Sequence, residues 1–205
     1  MHWPRIIALI ALGFAFAQSE PQARARTGGS NESRTGTGSQ VSAQPDKYLI
    51  SKSGIGPLRL GTTLEQARRA LPSANFVRAS DGDGVALVKV TLGANESMFV
   101  WAEEEDAAAP IDWSKKITTI ETFSPAFHTA EGARPGTLVR QVEALLGKVK
   151  NAPRSEIESR VYVVFEAQPA YLTFRMDDVG PEDEAHRARV DPRARILSIA
   201  VGSAR

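Results

Sequence analysis

Cysteine is absent from all 205 residues. That excludes disulfides, thiolate metal ligands, a cysteine nucleophile and the cysteine-linked lipid of bacterial lipoproteins, so apolar burial alone must stabilise the fold. Histidine is scarce: His2, His128 and His186 are the only three. No His-Glu-x-x-His or Gly-x-Ser-x-Gly motif occurs. Neither sign of charge prevails, with 25 Lys and Arg against 24 Asp and Glu and a net charge of +1. A nucleic-acid footprint needs a marked basic excess, so none is expected. The only long apolar run, from Ile6 to Phe16, is too short to span a bilayer comfortably, and no transmembrane span is expected elsewhere. Nothing points to a metal or an organic cofactor.

What is there begins with that run. Arg5 precedes it and Ala15-Phe16-Ala17 closes it, which is the charged, apolar, small-residue order of a signal peptide. Residues 1–17 therefore predict export, with cleavage before Gln18 and a periplasmic or secreted mature protein; an uncleaved N-terminal anchor is the alternative. Residues 18–46 are rich in Ser, Thr, Gly and Gln, with Val41 the one large apolar residue. Such a stretch buries too little surface to offset its ordering entropy and reads as a disordered linker. Its Arg24, Arg26 and Arg34 are interspersed with Glu20 and Glu32.

From residue 47 onward the chain reads as one pattern used twice, over 47–130 and 131–205. Arg59-Leu60-Gly61-Thr62 aligns with Arg134-Pro135-Gly136-Thr137, and further on Lys116-Ile117-Thr118-Thr119-Ile120 echoes Arg195-Ile196-Leu197-Ser198-Ile199. Each copy opens with an amphipathic helix: Leu64, Ala67 and Leu71 form one apolar stripe, and Val139, Val142, Leu145 and Leu146 another. Thr62 with Glu65 predicts a capping box, Thr137 a plain threonine cap, and Pro72 and Gly147 the helix ends. Alternating runs then predict strands over 85–91, 97–102 and 116–123, and over 161–166, 171–176 and 195–201. The expected class is α+β: two tandem repeats, each a short helix on one face of a three- to four-stranded antiparallel sheet.

These two Gly-Thr helix starts, Leu60-Gly61-Thr62-Thr63-Leu64-Glu65-Gln66-Ala67 and Pro135-Gly136-Thr137-Leu138-Val139-Arg140-Gln141-Val142, each followed by an antiparallel meander, resemble the tandem modules of β-lactamase inhibitory proteins. They also resemble the single module of the BamE (SmpA/OmlA) family. The resemblance spans roughly Tyr48 to Ser203. It implies binding of another exported or envelope protein. The inhibitors carry disulfides and the lipoprotein an acylated cysteine, and this chain has neither.

Strand alternation divides the side chains between two faces. One face collects Val88, Val90, Met98, Val100, Val161, Val163, Phe165, Leu172, Phe174, Met176, Leu197, Ile199 and Val201, and the helices must cover it. The other collects Lys89, Phe99, Trp101, Tyr162, Glu166, Tyr171, Thr173 and Arg175. Aromatics and arginine on an open sheet face have the composition of a protein-contact surface, so Lys89, Phe99, Trp101, Tyr162, Glu166, Tyr171 and Arg175 are the candidate partner-binding residues. The function expected is a non-enzymatic protein-binding module, inhibitor-like in form. An envelope-assembly or cell-wall accessory protein is the alternative. A third reading is an enzyme built around His128, Glu121 and the acidic loops 103–106 and 177–184. Asp81-Gly82-Asp83-Gly84 has the look of a calcium loop but lacks its later ligands and reads as a hairpin turn. The acidic loops read as solvated.

Overall fold

The computed structural model describes residues 46–155, 160–177, 190–191 and 193–202. Residues 1–17, expected to be a signal peptide, nearly all of the expected linker 18–46 and most of the 177–184 acidic loop lie outside these. All described residues belong to one compact unit, Ala43–Arg205. Asp46, placed by the sequence in the linker, is already part of it: its carboxylate accepts the Tyr48 N–H at 2.9 Å and its carbonyl accepts the Leu49 N–H.

The chain first forms three short strands, β1 (Leu49–Ser51), β2 (Gly54–Ile55) and β3 (Leu58–Arg59). Helix α1 (Leu64–Ala70) follows, then β4 (Asn75–Ser80), β5 (Ala86–Gly93), β6 (Glu96–Ala102) and β7 (Ile117–Thr122). After the short β8 (His128–Thr129) the order helix then four strands recurs: α2 (Val139–Leu146), β9 (Val149–Asn151), β10 (Tyr162–Phe165), β11 (Leu172–Met176) and β12 (Ile196–Gly202). The eight longer-range strands make one antiparallel sheet in the order β4-β5-β6-β7-β12-β11-β10-β9. Its seam pairs β7 with β12, placing Glu121 opposite Ala200 and Ile120 opposite Val201. A small sheet, β3-β2-β1-β8, contains one parallel pairing, β1 with β8.

The apolar stripes of the helices explain where the core lies. Leu64 and Ala67 of α1, and Val139, Val142 and Leu146 of α2, share one buried cluster with Val88, Val90, Met98, Val100, Ile120, Val163, Phe165, Phe174, Ile199 and Val201. Ile50, Ile55, Leu58 and Phe127 from the small sheet and its surroundings join the same cluster, and β2 lies against β7 and β12. Helices and small sheet thus cover the same face of the large sheet. Leu145, expected in the α2 stripe, is 43% exposed. It sits about 100° around the helix from Leu146, far enough to leave the buried arc.

Both helices begin on a glycine turn. Gly61 (φ 76°) and Gly136 (φ 87°) adopt positive φ, which costs glycine little, and their N–H groups donate to Ile117 and Ile196 carbonyls. Thr62 and Thr137 accept the return hydrogen bonds from Ile117 and Ile196 through their carbonyls, so neither is free to cap as expected. The caps move on by one residue. Thr63 Oγ1 accepts from Gln66 N–H and Gln66 Oε1 from Thr63 N–H, a complete capping box. At α2 the N-cap is Leu138, whose side chain cannot accept, and only the reciprocal bond from Leu138 N–H to Gln141 Oε1 is made.

Two β-bulges correct the expected faces. Trp101 pairs with Thr119 but Ala102 with Ile117, skipping Thr118; Arg175 pairs with Ser198 but Met176 with Ile196, skipping Leu197. A bulge swaps the side chains beyond it, so Ile117 and Ile196 are buried and Leu197, expected in the core, is only half-buried. The sequence reading missed β4, β9 and the small sheet. Asp81-Gly82-Asp83-Gly84 is the β4–β5 hairpin turn, with Asp81 Oδ1 accepting from the N–H groups of Asp83 and Val85.

Candidate functional site: the helix-free sheet face

Register fixes which side chains share the face that neither helix nor the small sheet covers. One row across it runs Val77, Lys89, Phe99, Glu121, Ala200 and Thr173, each opposite the next. Beside it, Ser198 lies opposite Arg175, and Arg175 opposite Tyr162. The remaining row joins Ala79 to Leu87 and Trp101 to Thr119 and Gly202. Neighbouring strands stand about 4.8 Å apart, so these side chains form one continuous surface.

At its middle, on the seam, is Glu121. It is 9% exposed and accepts a hydrogen bond from the Ser198 hydroxyl, itself buried. Burial pushes the Glu121 carboxyl above the usual glutamate range; the Ser198 hydrogen bond and the Arg175 and Arg160 charges pull the other way, and Asp81 adds to the rise. Phe99 and Phe123 meet edge to face, with centroids 5.5 Å apart and planes at 86°. The Arg175 guanidinium lies over the Phe123 ring at 5.9 Å. These contacts gather an acid, an arginine and one aromatic ring from strands, with the second ring, Phe123, one residue past the end of β7.

Of the seven candidate residues, Lys89, Phe99, Tyr162 and Arg175 fall on this surface, Lys89 exposed and the other three half-buried. Trp101 is on it by register but only 6% exposed, so the expected open indole is corrected. Leu87, one step beyond the Val88–Val100 pair and therefore across from Trp101, is 3% exposed, and both lie outside the helix-side core cluster. The two large apolar groups are cross-strand neighbours, and apolar area that close is withdrawn from water.

Tyr171 and Glu166 are corrections of another kind. Tyr171 stands in the turn before β11 and packs against the core cluster; burial, with Glu131 adding, pushes its phenol up. Glu166 lies past the end of β10, where its carboxylate accepts the Lys148 N–H and its own N–H donates to the Lys148 carbonyl. It fastens the sheet edge. Glu121, Phe123 and Ser198 were missing from the partner-binding set. Alternation backward from Phe123 through Glu121 to Thr119 would have found the first two; Ser198 needs the bulge at Leu197, which no sequence pattern announces.

Among the described residues, His128 and Glu121 are not brought together. His128 Nε2 lies 3.1 Å from Asp46 Oδ2 in the small sheet, on the covered side, whereas Glu121 points from the opposite face. The first acidic loop also departs from expectation: Glu104 is buried and holds Arg78 through both of the latter's terminal nitrogens, while Arg78 Nε donates to the Ala109 carbonyl at 3.0 Å. That carboxylate is a structural ion pair and not a solvated one. Among the described residues, no group of three or more His, Asp and Glu is placed to hold a metal ion. No helix among them is long and apolar enough to cross a membrane.

No family model matches the chain, and no curated protein matches it. Among solved structures, the chain is similar to the crystal structure of the uncharacterized protein YfeY from Escherichia coli, with a TM-score of 0.50 and 16% identity over 77% of this chain and 100% of that one. At that identity the likeness speaks for the fold: a mostly antiparallel sheet with two helices, of the α+β class.

Proposed function

We propose that this chain is an exported, non-enzymatic protein-binding module of two tandem repeats, 47–130 and 131–205, that grips another exported or envelope protein with its helix-free sheet face. The observation that carries the binding reading is the Phe99–Phe123–Arg175–Glu121 group at the centre of that face. Aromatic rings have few rotamers to lose on association and arginine offers a planar fork of donors, and both types are enriched among the residues that dominate interface energetics.

The repeat reading draws on matched backbone detail. Gly61 and Gly136, Gln66 and Gln141, and the bulges at Thr118 and Leu197 occupy corresponding places, and strand order reads the same outward from the β7–β12 seam in both directions. Such a tandem arrangement is what the resemblance to β-lactamase inhibitory proteins implies, and the partner in that case is an extracellular enzyme. Export rests on residues 1–17.

The test is affinity capture from an envelope extract with the mature protein and two variants, Phe99→Ala and Arg175→Ala. A binding function through this face requires a retained protein that both variants lose while staying folded. Retention unaffected by either variant would refute the assignment of the face, and mass spectrometry showing Met1 intact on protein from an exporting host would remove the localisation.

A further inference from the structure

The helix-free face does more than offer apolar contact. Its described charges are unbalanced: Lys89 is exposed, Arg175 is half-buried, and the one carboxylate on the same rows, Glu121, is buried and engaged by Ser198. Arg175 is the informative member. Strand β11 holds its backbone between Tyr162 and Ser198, and Phe123 flanks its guanidinium at 5.9 Å. Among the described residues the guanidinium has no carboxylate within ion-pair distance and no carbonyl as acceptor, in contrast to Arg78, which is fully occupied by Glu104, Ala109 and Pro110. A planar fork of donors beside an aromatic ring matches the two oxygens of a carboxylate, and the ring accommodates the methylene that carries it.

We propose that Arg175, flanked by Phe123, is a carboxylate-recognition site, and that the bound partner presents an aspartate or glutamate side chain to it from an apolar segment. This deepens the protein-binding reading and rests on it. Glu121 has the opposing role. Close enough to Arg175 to feel its charge, it competes electrostatically with an incoming carboxylate. The groups acting on Glu121 are the Ser198 hydroxyl, Arg175, Arg160 and Asp81, so Glu121→Gln takes one negative charge out of the field around Arg175 while both aromatic rings are kept.

The experiment titrates the isolated mature protein, labelled with 15N at arginine and 13C at phenylalanine, with two capped tripeptides, Phe-Glu-Phe and Phe-Gln-Phe, and with inorganic phosphate. The glutamate peptide is expected to shift the Arg175 Nε–H and Phe123 ring signals with roughly five-fold or greater preference over its neutral twin, the scale of one charge-assisted pair in a wet site. Arg175→Gln should abolish that preference, Arg175→Lys should keep part of it, and Glu121→Gln should raise it by about two-fold as a competing charge is lost. Equal binding of the two peptides overturns the proposal, as does phosphate shifting the same signals as strongly, or a preference that survives Arg175→Gln. Arg175→Lys guards against misfolding of the glutamine variant. Because no native partner enters this titration, its failure would leave a Phe99-dependent capture from envelope extract standing, and the two readings remain separable.

Discussion

The α1 half and the α2 half of the chain agree closely near the seam and diverge toward the sheet edges. Near the seam, both helices start from a positive-φ glycine bonded to the strand that ends its half, and both of those strands carry a bulge one turn of the ladder before the central pairing. At the edges, β4 is six residues long and backed by the buried Arg78–Glu104 pair, whereas β9 is three residues and its nearby Lys148–Glu143 pair is largely exposed at the lysine end. Backbone geometry is retained where two halves must fit one another. Side-chain solutions differ where each half meets only water.

The largest effect should come from breaking the edge difference. Arg78→Met strands the Glu104 carboxylate in a buried site and should cost about 3 kcal/mol in urea unfolding, since a buried ion without its partner keeps its full desolvation penalty. Removing the exposed counterpart by Lys148→Met should cost no more than about 0.5 kcal/mol. Comparable losses in the two variants would erase the distinction between the edges.

Next in size is the comparison of the cores. Leu64→Ala should cost about 3 kcal/mol and Val139→Ala about 2 kcal/mol, the difference reflecting one fewer methylene at the second site. A silent Val139→Ala would mean that α2 does not pack as α1 does. The capping contrast is smaller: Thr63→Ala should cost about 1 kcal/mol, while Thr137→Ala, which loses only an acceptor for the Arg134 N–H, should cost a few tenths, about 0.3 kcal/mol. Thermal unfolding of the paired variants resolves the two.

The smallest effect separates the seam from both halves. Glu121 binds its proton more tightly folded than unfolded, so its contribution favours the folded state below the ordinary glutamate pKa and is lost as pH rises through the folded value. Glu121→Gln should therefore stabilise the protein at neutral pH and flatten the decline in stability that begins in the acid range. A variant less stable than the parent at neutral pH, or one with an unchanged pH profile, would show that the carboxylate is held ionised at no cost.

How much of this was legible in the sequence depends on the kind of signal. Helix position, six of the seven strands of four or more residues and the helix-side core followed from periodicity, because Leu64, Val139, Phe174 and Ile199 sit in strongly patterned runs; β4 (Asn75–Ser80), six residues long, was missed. The caps were read one residue early because Thr62 and Thr137 look like N-caps until their carbonyls are known to pair with β7 and β12. Strands β1 to β3, β8 and β9 span two or three residues, too short for any alternation to emerge. In the candidate site, Lys89, Phe99, Tyr162 and Arg175 came from alternation alone. Tyr171 and Glu166 failed because alternation was extended past strand ends into turns, and Trp101 because alternation assigns a face and not exposure.

The β7–β12 pairing also has a consequence for synthesis. Strand β7 is complete once residue 122 has been made, yet its inner partner occupies residues 196–202, the last of the described strands. Until that segment arrives, the future centre of the sheet is an unpaired edge carrying Ile117 and Ile120, and a polypeptide stopped short of residue 196 presents it permanently. Truncated products should accordingly associate through β7 and be cleared as aggregates. Completion of the seven-residue strand β12 turns that open edge into an interior pairing of the sheet.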